Sequence, residues 1–268
     1  MSRQSTEWNA GTYHKVANPH VDWGRRVLAR LPLRGDETVI DAGCGTGRLT
    51  AELLERLPTG RVIAIDGSAN MLQEAAAHLR PRFGDRVSFV QADLQHLRVA
   101  APVDAIFSTA TFHWIADHGE LFRRLFAALR PGGVLVAQCG GGPNIAGLMA
   151  EVKRLQQDAM FAPYFRDWRE FWEFADATTT AERLVTAGFV NVATSLEEAP
   201  TALAGAPEYH EFLETVVLRL HLEPLPSAAL RTSFLDRLTE MSAASDAPFF
   251  LDYWRLNLSG QRPERGEP

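Results

Sequence analysis

Apolar residues along this chain follow two rhythms. Short continuous apolar runs, such as Val62-Ile63-Ala64-Ile65 and Val134-Leu135-Val136-Ala137, alternate with segments in which leucines recur three and four residues apart. Continuous runs of strand length predict strands buried on both faces, and the second spacing predicts amphipathic helices. The predicted order begins with a helix over 21–31 and a strand over Glu37–Ala42. A helix over 48–57 follows, with Leu49, Leu53, Leu54 and Leu57 on one face and Thr46 as its cap. Next come a strand Arg61–Asp66, a helix over 70–79, and strands Val87–Gln91 and Val103–Ser108. A helix Leu121–Leu129 stops at the breaker Arg130-Pro131-Gly132-Gly133, before a strand Val134–Cys139. This alternation predicts right-handed crossovers and a doubly wound, mostly parallel α/β sheet.

The rhythm breaks after Cys139. Gly140-Gly141-Gly142-Pro143 reads as a flexible joint, and helical material is expected to about residue 187. A strand over Phe189–Ser195, helices over 207–222 and 227–243, and a long last strand over Phe249–Leu258 complete the pattern. The expected organisation is a single domain over 1–268, with a helical cap drawn from 1–20, 143–180 and 199–245.

Composition removes several function classes. The chain has 268 residues, 46% of them hydrophobic, and a net charge of −6. That supports one large domain and argues against a nucleic-acid backbone as partner. No apolar run approaches the roughly 18 residues of a bilayer span, and the amino terminus lacks a signal-peptide core. Two cysteines make no disulfide framework, so a cytoplasmic protein with reduced thiols is expected.

Candidate chemistry concentrates where strands end. Val39-Ile40-Asp41 runs into Gly43-Cys44-Gly45-Thr46-Gly47, and the next strand ends in Asp66. Such a loop between strand and helix builds a nucleoside cleft at the carboxyl ends of a doubly wound sheet. By itself each of these features could be a tight turn or a capping acid. The spacing Gly-x-Gly-x-Gly is tighter than that of dinucleotide sites. Asp41 just before it would repel a pyrophosphate, but would suit an ammonium group, directly or through water. Asp66 could accept hydrogen bonds from two ribose hydroxyls. Asp93, after the third strand, could accept from an adenine amine with Leu94 against the ring. Ser108 and Thr109 would lie beneath a sulfonium. Together these features fit S-adenosyl-L-methionine.

On these residues the chain resembles the class I S-adenosylmethionine-dependent methyltransferases, over roughly residues 35–140. The resemblance implies a seven-stranded sheet whose last strand is antiparallel. The implied cofactor-contacting set is Tyr13, Asp41, Gly43, Cys44, Gly45, Gly47, Asp66, Gly67, Met71, Asp93, Leu94, Ser108 and Thr109, with no metal. Within that family it is most similar to the trans-aconitate 2-methyltransferase group. Trp8-Asn9, Tyr13, Phe112-His113-Trp114-Ile115-Ala116-Asp117-His118 and Ala187-Gly188-Phe189 carry this narrower likeness. The chain has His113-Trp114 where that group often has Gln-Trp, and 140–180 departs from it.

The expected activity is methyl transfer to a small molecule, at a carboxylate or hydroxyl oxygen. The alternatives are carbon or nitrogen methylation of an apolar quinone or natural-product ring, and a non-catalytic S-adenosylmethionine-binding protein. A carboxylate nucleophile needs no base; a hydroxyl would be helped by one, with His113 first and His14 second as candidates. His113 could equally be a loop histidine bonded to backbone. Trp114 would wall the pocket. Met160–Phe174 is dense in aromatics, and Pro163 would start a helix there, with Phe165, Trp168 and Trp172 on one face. Trp168 and Arg169 are the substrate-pocket candidates from this segment, which could equally be a helix packing on the domain.

Overall fold

The computed structural model describes residues 18–264. The chain opens with helix α1 (Asn18–Ala29) and then alternates strand and helix: β1 (Thr38–Ala42), α2 (Arg48–Glu55), β2 (Arg61–Asp66), α3 (Ala69–Phe83), β3 (Val87–Gln91), β4 (Val103–Thr109), α4 (His118–Ala128) and β5 (Leu129–Gly140). Beyond these lie α5 (Ala146–Gln156), α6 (Ala177–Thr186), β6 (Val190–Glu198), a two-residue strand β7 (Thr201–Ala202), α7 (Ala206–Phe212), α8 (Ala228–Ala243), its partner β8 (Phe250–Leu251) and β9 (Trp254–Gln261).

The main sheet has seven strands in the order β3-β2-β1-β4-β5-β9-β6. Only β9 runs antiparallel, pairing with β5 on one side and β6 on the other. The order reverses between β1 and β4, and a doubly wound sheet opens its cleft at that point, beyond the carboxyl ends of the strands.

Both faces of the sheet are covered, as the continuous apolar runs require. Val39, Val62, Ala64, Ala105 and Phe107 face α1, α2 and α3. Their neighbours Ile40, Ile65, Ile106, Leu135 and Ala137 face α4 and α6, against Leu121, Phe122, Leu125 and Leu184. A third core belongs to the cap: α5, α7 and α8 bury Leu148, Val152, Phe212, Leu213, Phe234 and Leu238 around Phe161.

Several predicted elements differ. Gly47, in a left-handed conformation, stands at the start of α2 in place of Thr46, with no side-chain cap. The last strand is divided: 250–251 pair with β7, and the sheet strand starts at Trp254. The helix expected from 207 ends in a π-turn over Leu213–Val217. The helix expected from Pro163 does not form; a single 3-10 turn (Ala162–Tyr164) leads into non-helical chain over 169–176. Tertiary contacts override helix periodicity there. Glu173 N–H bonds the carbonyl of His113 at 3.0 Å, and the rings of Phe171, Trp172 and Phe174 turn onto the loop after β4.

Candidate active site

The glycine loop is pinned to the end of β2. The N–H groups of Gly43 and Cys44 both donate to the carbonyl of Ile65, at 2.8 and 2.9 Å. Gly43 has φ +82, and a Cβ there would stand 2.0 Å from Thr111 Oγ1, so only glycine lets the two strand ends close up. Gly45 and Gly67 differ: a Cβ on either would meet nothing within 4 Å. These two open positions flank Asp66.

Asp66 closes the floor of that space. One carboxylate oxygen accepts Gly45 N–H at 2.9 Å and the other accepts Ser68 N–H at 2.9 Å. A carboxylate oxygen can accept more than one hydrogen bond, so a carboxylate at this strand end suits the two hydroxyls of a ribose. Ser68 caps α3 through Met71 N–H, and Met71 is buried behind it. Asp41 lies deeper, 2% exposed, and accepts from Thr50 Oγ1 at 2.6 Å. Burial, reinforced by the charge of Asp66, raises its pKa to about 7. Burial and the same two carboxylates push the Cys44 thiol well above its ordinary range, so it is no nucleophile.

Three predicted contacts also make bonds or packing within the protein. Asp93 caps the turn Leu94–His96 by accepting Gln95 N–H at 2.9 Å, and its other oxygen lies 3.1 Å from His96 Nδ1. Leu94 is packed in the core beside Ile65 and Leu97. Ser108 donates to the carbonyl of Ala42 at 2.6 Å, tying β4 to β1 beneath the cleft. Thr109 ends β4, and Ala110 then adopts φ +54. A left-handed alanine is strained backbone, and it swings Thr111 over the glycine loop.

The turn Phe112–Trp114 carries the candidate base. His113 is 9% exposed, and its Nδ1 accepts Gly140 N–H at 3.2 Å. A neutral imidazole bonded this way carries its proton on Nε2 and is therefore a donor there. His113 is thus bonded to backbone, in a tautomer that can steady an oxygen but not take its proton. Trp114 stacks on Phe171 with ring centres 5.5 Å apart and meets Trp172 edge-on at 5.6 Å. Trp168 joins the same cluster through Phe171. Arg169 does not: it is exposed, and its guanidinium bonds the carbonyl of Trp168. Tyr13 and His14 lie outside the described residues.

Two residues of this cluster had no signal in the pattern. His221 is fully buried, with ring centres of Trp168, Phe171 and Trp172 at 5.0, 5.0 and 4.8 Å. Glu170 Oε2 lies 3.3 Å from its Nε2. The two are far apart in sequence, so only the folded cap brings them together.

Comparison with known proteins identifies the family. A family profile described as "Methyltransferase domain" matches residues 39–133. The trans-aconitate 2-methyltransferase of Azoarcus sp. is 44% identical over 131 residues, 49% of this chain and 50% of that protein. This match thus spans about half the length of that relative. The trans-aconitate 2-methyltransferase of Deinococcus radiodurans is 30% identical over 259 residues, 96% of this chain and 92% of its own. Among solved structures, the phosphoethanolamine N-methyltransferase 2 of Haemonchus contortus, in complex with S-adenosyl-L-methionine, superposes with a TM-score of 0.62 at 19% identity, over 98% of this chain and 58% of that one. The fold and cleft are those of a class I S-adenosylmethionine-dependent methyltransferase. The chain belongs to that family, in the group of the trans-aconitate 2-methyltransferases, and S-adenosylmethionine is its cofactor.

Proposed function

We propose that this enzyme methylates a carboxylate oxygen of a small, cytoplasmic organic acid. The observation that carries this reading is the hydrogen bond from Gly140 N–H to His113 Nδ1. The residue best placed to act as a base beyond β4 spends its Nδ1 lone pair on Gly140 N–H, which suits an acceptor already ionised at neutral pH. The relatives named for trans-aconitate support the same class of acceptor. When bound, the cofactor supplies an electrophilic methyl group on a sulfonium. Asp66 holds the ribose, Gly45 and Gly67 leave it room, and the Asp41 region receives the charged amino-acid tail. Asp93 faces the adenine end. His113 Nε2–H steadies an acceptor oxygen, and Trp114 with Phe171 excludes water. Such positioning is worth on the order of 7–11 kcal/mol of barrier.

The density of rings around Trp114 favours one second reading, methylation of an apolar ring at carbon or nitrogen. Incubation with trans-aconitate and S-adenosylmethionine, followed by mass spectrometry and mild alkali, separates the two. A product that alkali returns to the acid is the expected ester; an alkali-stable product, formed only from ring acceptors, sinks the carboxylate reading. The variant His113→Gln should keep kcat within about 10-fold, far from the roughly 10²–10⁴-fold loss of a missing general base.

A further inference from the structure

Among the described residues several buried side-chain atoms have no hydrogen-bond partner, Gln156 Nε2 and Thr180 Oγ1 included, and two of them lie on neighbouring rings of the cap: Trp172 Nε1 and His221 Nδ1. Unpaired buried polar atoms are rare in folded proteins, and each costs about 1–3 kcal/mol. These two sit on rings whose centres are 4.8 Å apart. Their surroundings are not those of a packing accident. Glu170 Oε1 accepts the N–H groups of Phe171 and Trp172, and its Oε2 faces His221 Nε2 at 3.3 Å. Burial alone would raise the pKa of Glu170, but the hydrogen bond and charge of His221 and the two backbone N–H groups outweigh it and hold the carboxyl below its ordinary range. Glu170 beside Nε2 orients the imidazole and leaves the ring's other nitrogen, Nδ1, to serve a ligand. A carboxylate holding one imidazole nitrogen so that the other can serve a ligand is a built arrangement.

The position of the pair is equally specific. Contacts run from the glycine loop to Thr111, through the turn bearing His113 and Trp114, to Trp172, and from there to His221. His221 enters the cluster four residues after the π-turn at 213–217. π-turns of this kind recur at functional sites.

We propose that Trp172 Nε1 and His221 Nδ1 form a subsite for a second carboxyl group of the acceptor, one that is held while another is methylated. This rests on the acidic acceptor proposed above. The indole N–H donates to one carboxyl oxygen. The other oxygen shares a proton with His221 Nδ1, and that proton enters with the acid from solvent. Glu170 is a positioning residue that holds the imidazole.

The test is calorimetric titration of trans-aconitate into enzyme saturated with S-adenosylhomocysteine, alongside crotonate, which has one carboxyl. Wild type should bind trans-aconitate more tightly than crotonate. Trp172→Phe and His221→Gln should each weaken trans-aconitate binding about 10- to 100-fold, the range of one or two lost hydrogen bonds, and should erase most of the preference. In turnover the loss should appear in KM, with kcat within about threefold. Glu170→Gln should give a smaller KM rise in the same direction. Affinity for S-adenosylhomocysteine, unchanged in all three, verifies that the sheet is intact. Wild-type preference for trans-aconitate that survives both ring variants would overturn the subsite, as would a wild type that binds the two acids equally. A bridging water alone would give that result. A product that is not an ester, with the binding preference intact, would instead refute the carboxylate chemistry and leave the subsite standing.

Discussion

At the scale of single residues the cleft is governed by how its two carboxylates divide the work. Asp66 accepts two backbone N–H groups at the rim, whereas Asp41 is enclosed and has Thr50 as its hydrogen-bond donor. The consequence for Asp41 has a definite sign. Its pKa rises from 3.8 to about 7 on folding, so the folded chain keeps a proton that the unfolded chain has lost. Stability therefore falls as pH rises from about 4 to about 7, and levels off above. Asp41→Asn keeps an oxygen for Thr50 and removes the buried charge. Thermal unfolding should show its Tm exceeding that of wild type by a margin that grows between pH 5 and pH 8. The same variant should bind S-adenosylhomocysteine roughly 10-fold more weakly at pH 8, the range of one hydrogen bond to a charged group. That deficit should shrink at pH 6, where wild-type Asp41 is itself largely protonated. An Asp41→Asn Tm that tracked wild type across the range would mean the carboxylate carries no burial penalty.

At the scale of elements the decisive piece is the turn Phe112–Trp114 and what clamps it. His118, at the start of α4, bonds the carbonyl of Phe112 at 3.0 Å through Nε2, and Arg183 Nη1 lies 3.3 Å from its Nδ1. Arg183 also bonds Glu173 at 2.8 Å, and Glu173 N–H holds the carbonyl of His113. Burial lowers the pKa of His118, and Arg183 adds to this against the opposing pull of the Phe112 carbonyl. The stability due to the neutral ring is complete above about pH 6.5, its unfolded value, and is lost as pH falls toward the depressed folded value. Tm should therefore drop on acidification below pH 6.5, and His118→Gln should flatten that slope while keeping a donor for Phe112. An unchanged acid slope in the variant would assign it to other groups. The sequence already marked this turn through His113-Trp114, because it follows directly on a strand with a strong apolar pattern. The clamp was invisible, since Arg183 and Glu173 carry ordinary helix and loop signals until the chain folds back. The segment 163–174 misled for the same reason. Its aromatic spacing is helical, but Phe171, Trp172 and Phe174 have rings to meet on the β4 loop, and those contacts outweigh one turn of helix.

At the scale of the whole molecule the chain has two parts with different legibility. The sheet half could be read because parallel strands, buried on both faces, leave continuous apolar runs, and because Asp41, Asp66 and Asp93 each stand at a strand end, where a doubly wound fold must place its ligand. The cap half obeys no such period. Its core joins α5, α7 and α8 with Trp23 and Tyr253 from distant segments, and the pairing of Glu170 with His221 spans 51 residues. This division predicts how the two ligands should act. The residues that fit the cofactor lie on the sheet side, and those proposed for the acceptor's second carboxyl, Trp172 and His221, lie in the cap. Amide hydrogen exchange should therefore slow at 43–47 and 66–71 with S-adenosylhomocysteine alone, leaving 165–176 and 213–225 unchanged. Protection of the cap segments should appear only when trans-aconitate is added. Each ligand present at about 100 times its Kd should add roughly 2.7 kcal/mol, so the ternary complex should melt about 10–20 °C above the free protein. Protection of both halves by S-adenosylhomocysteine alone would mean that the cap closes on the cofactor, and the acceptor would then have to be sought elsewhere on the molecule.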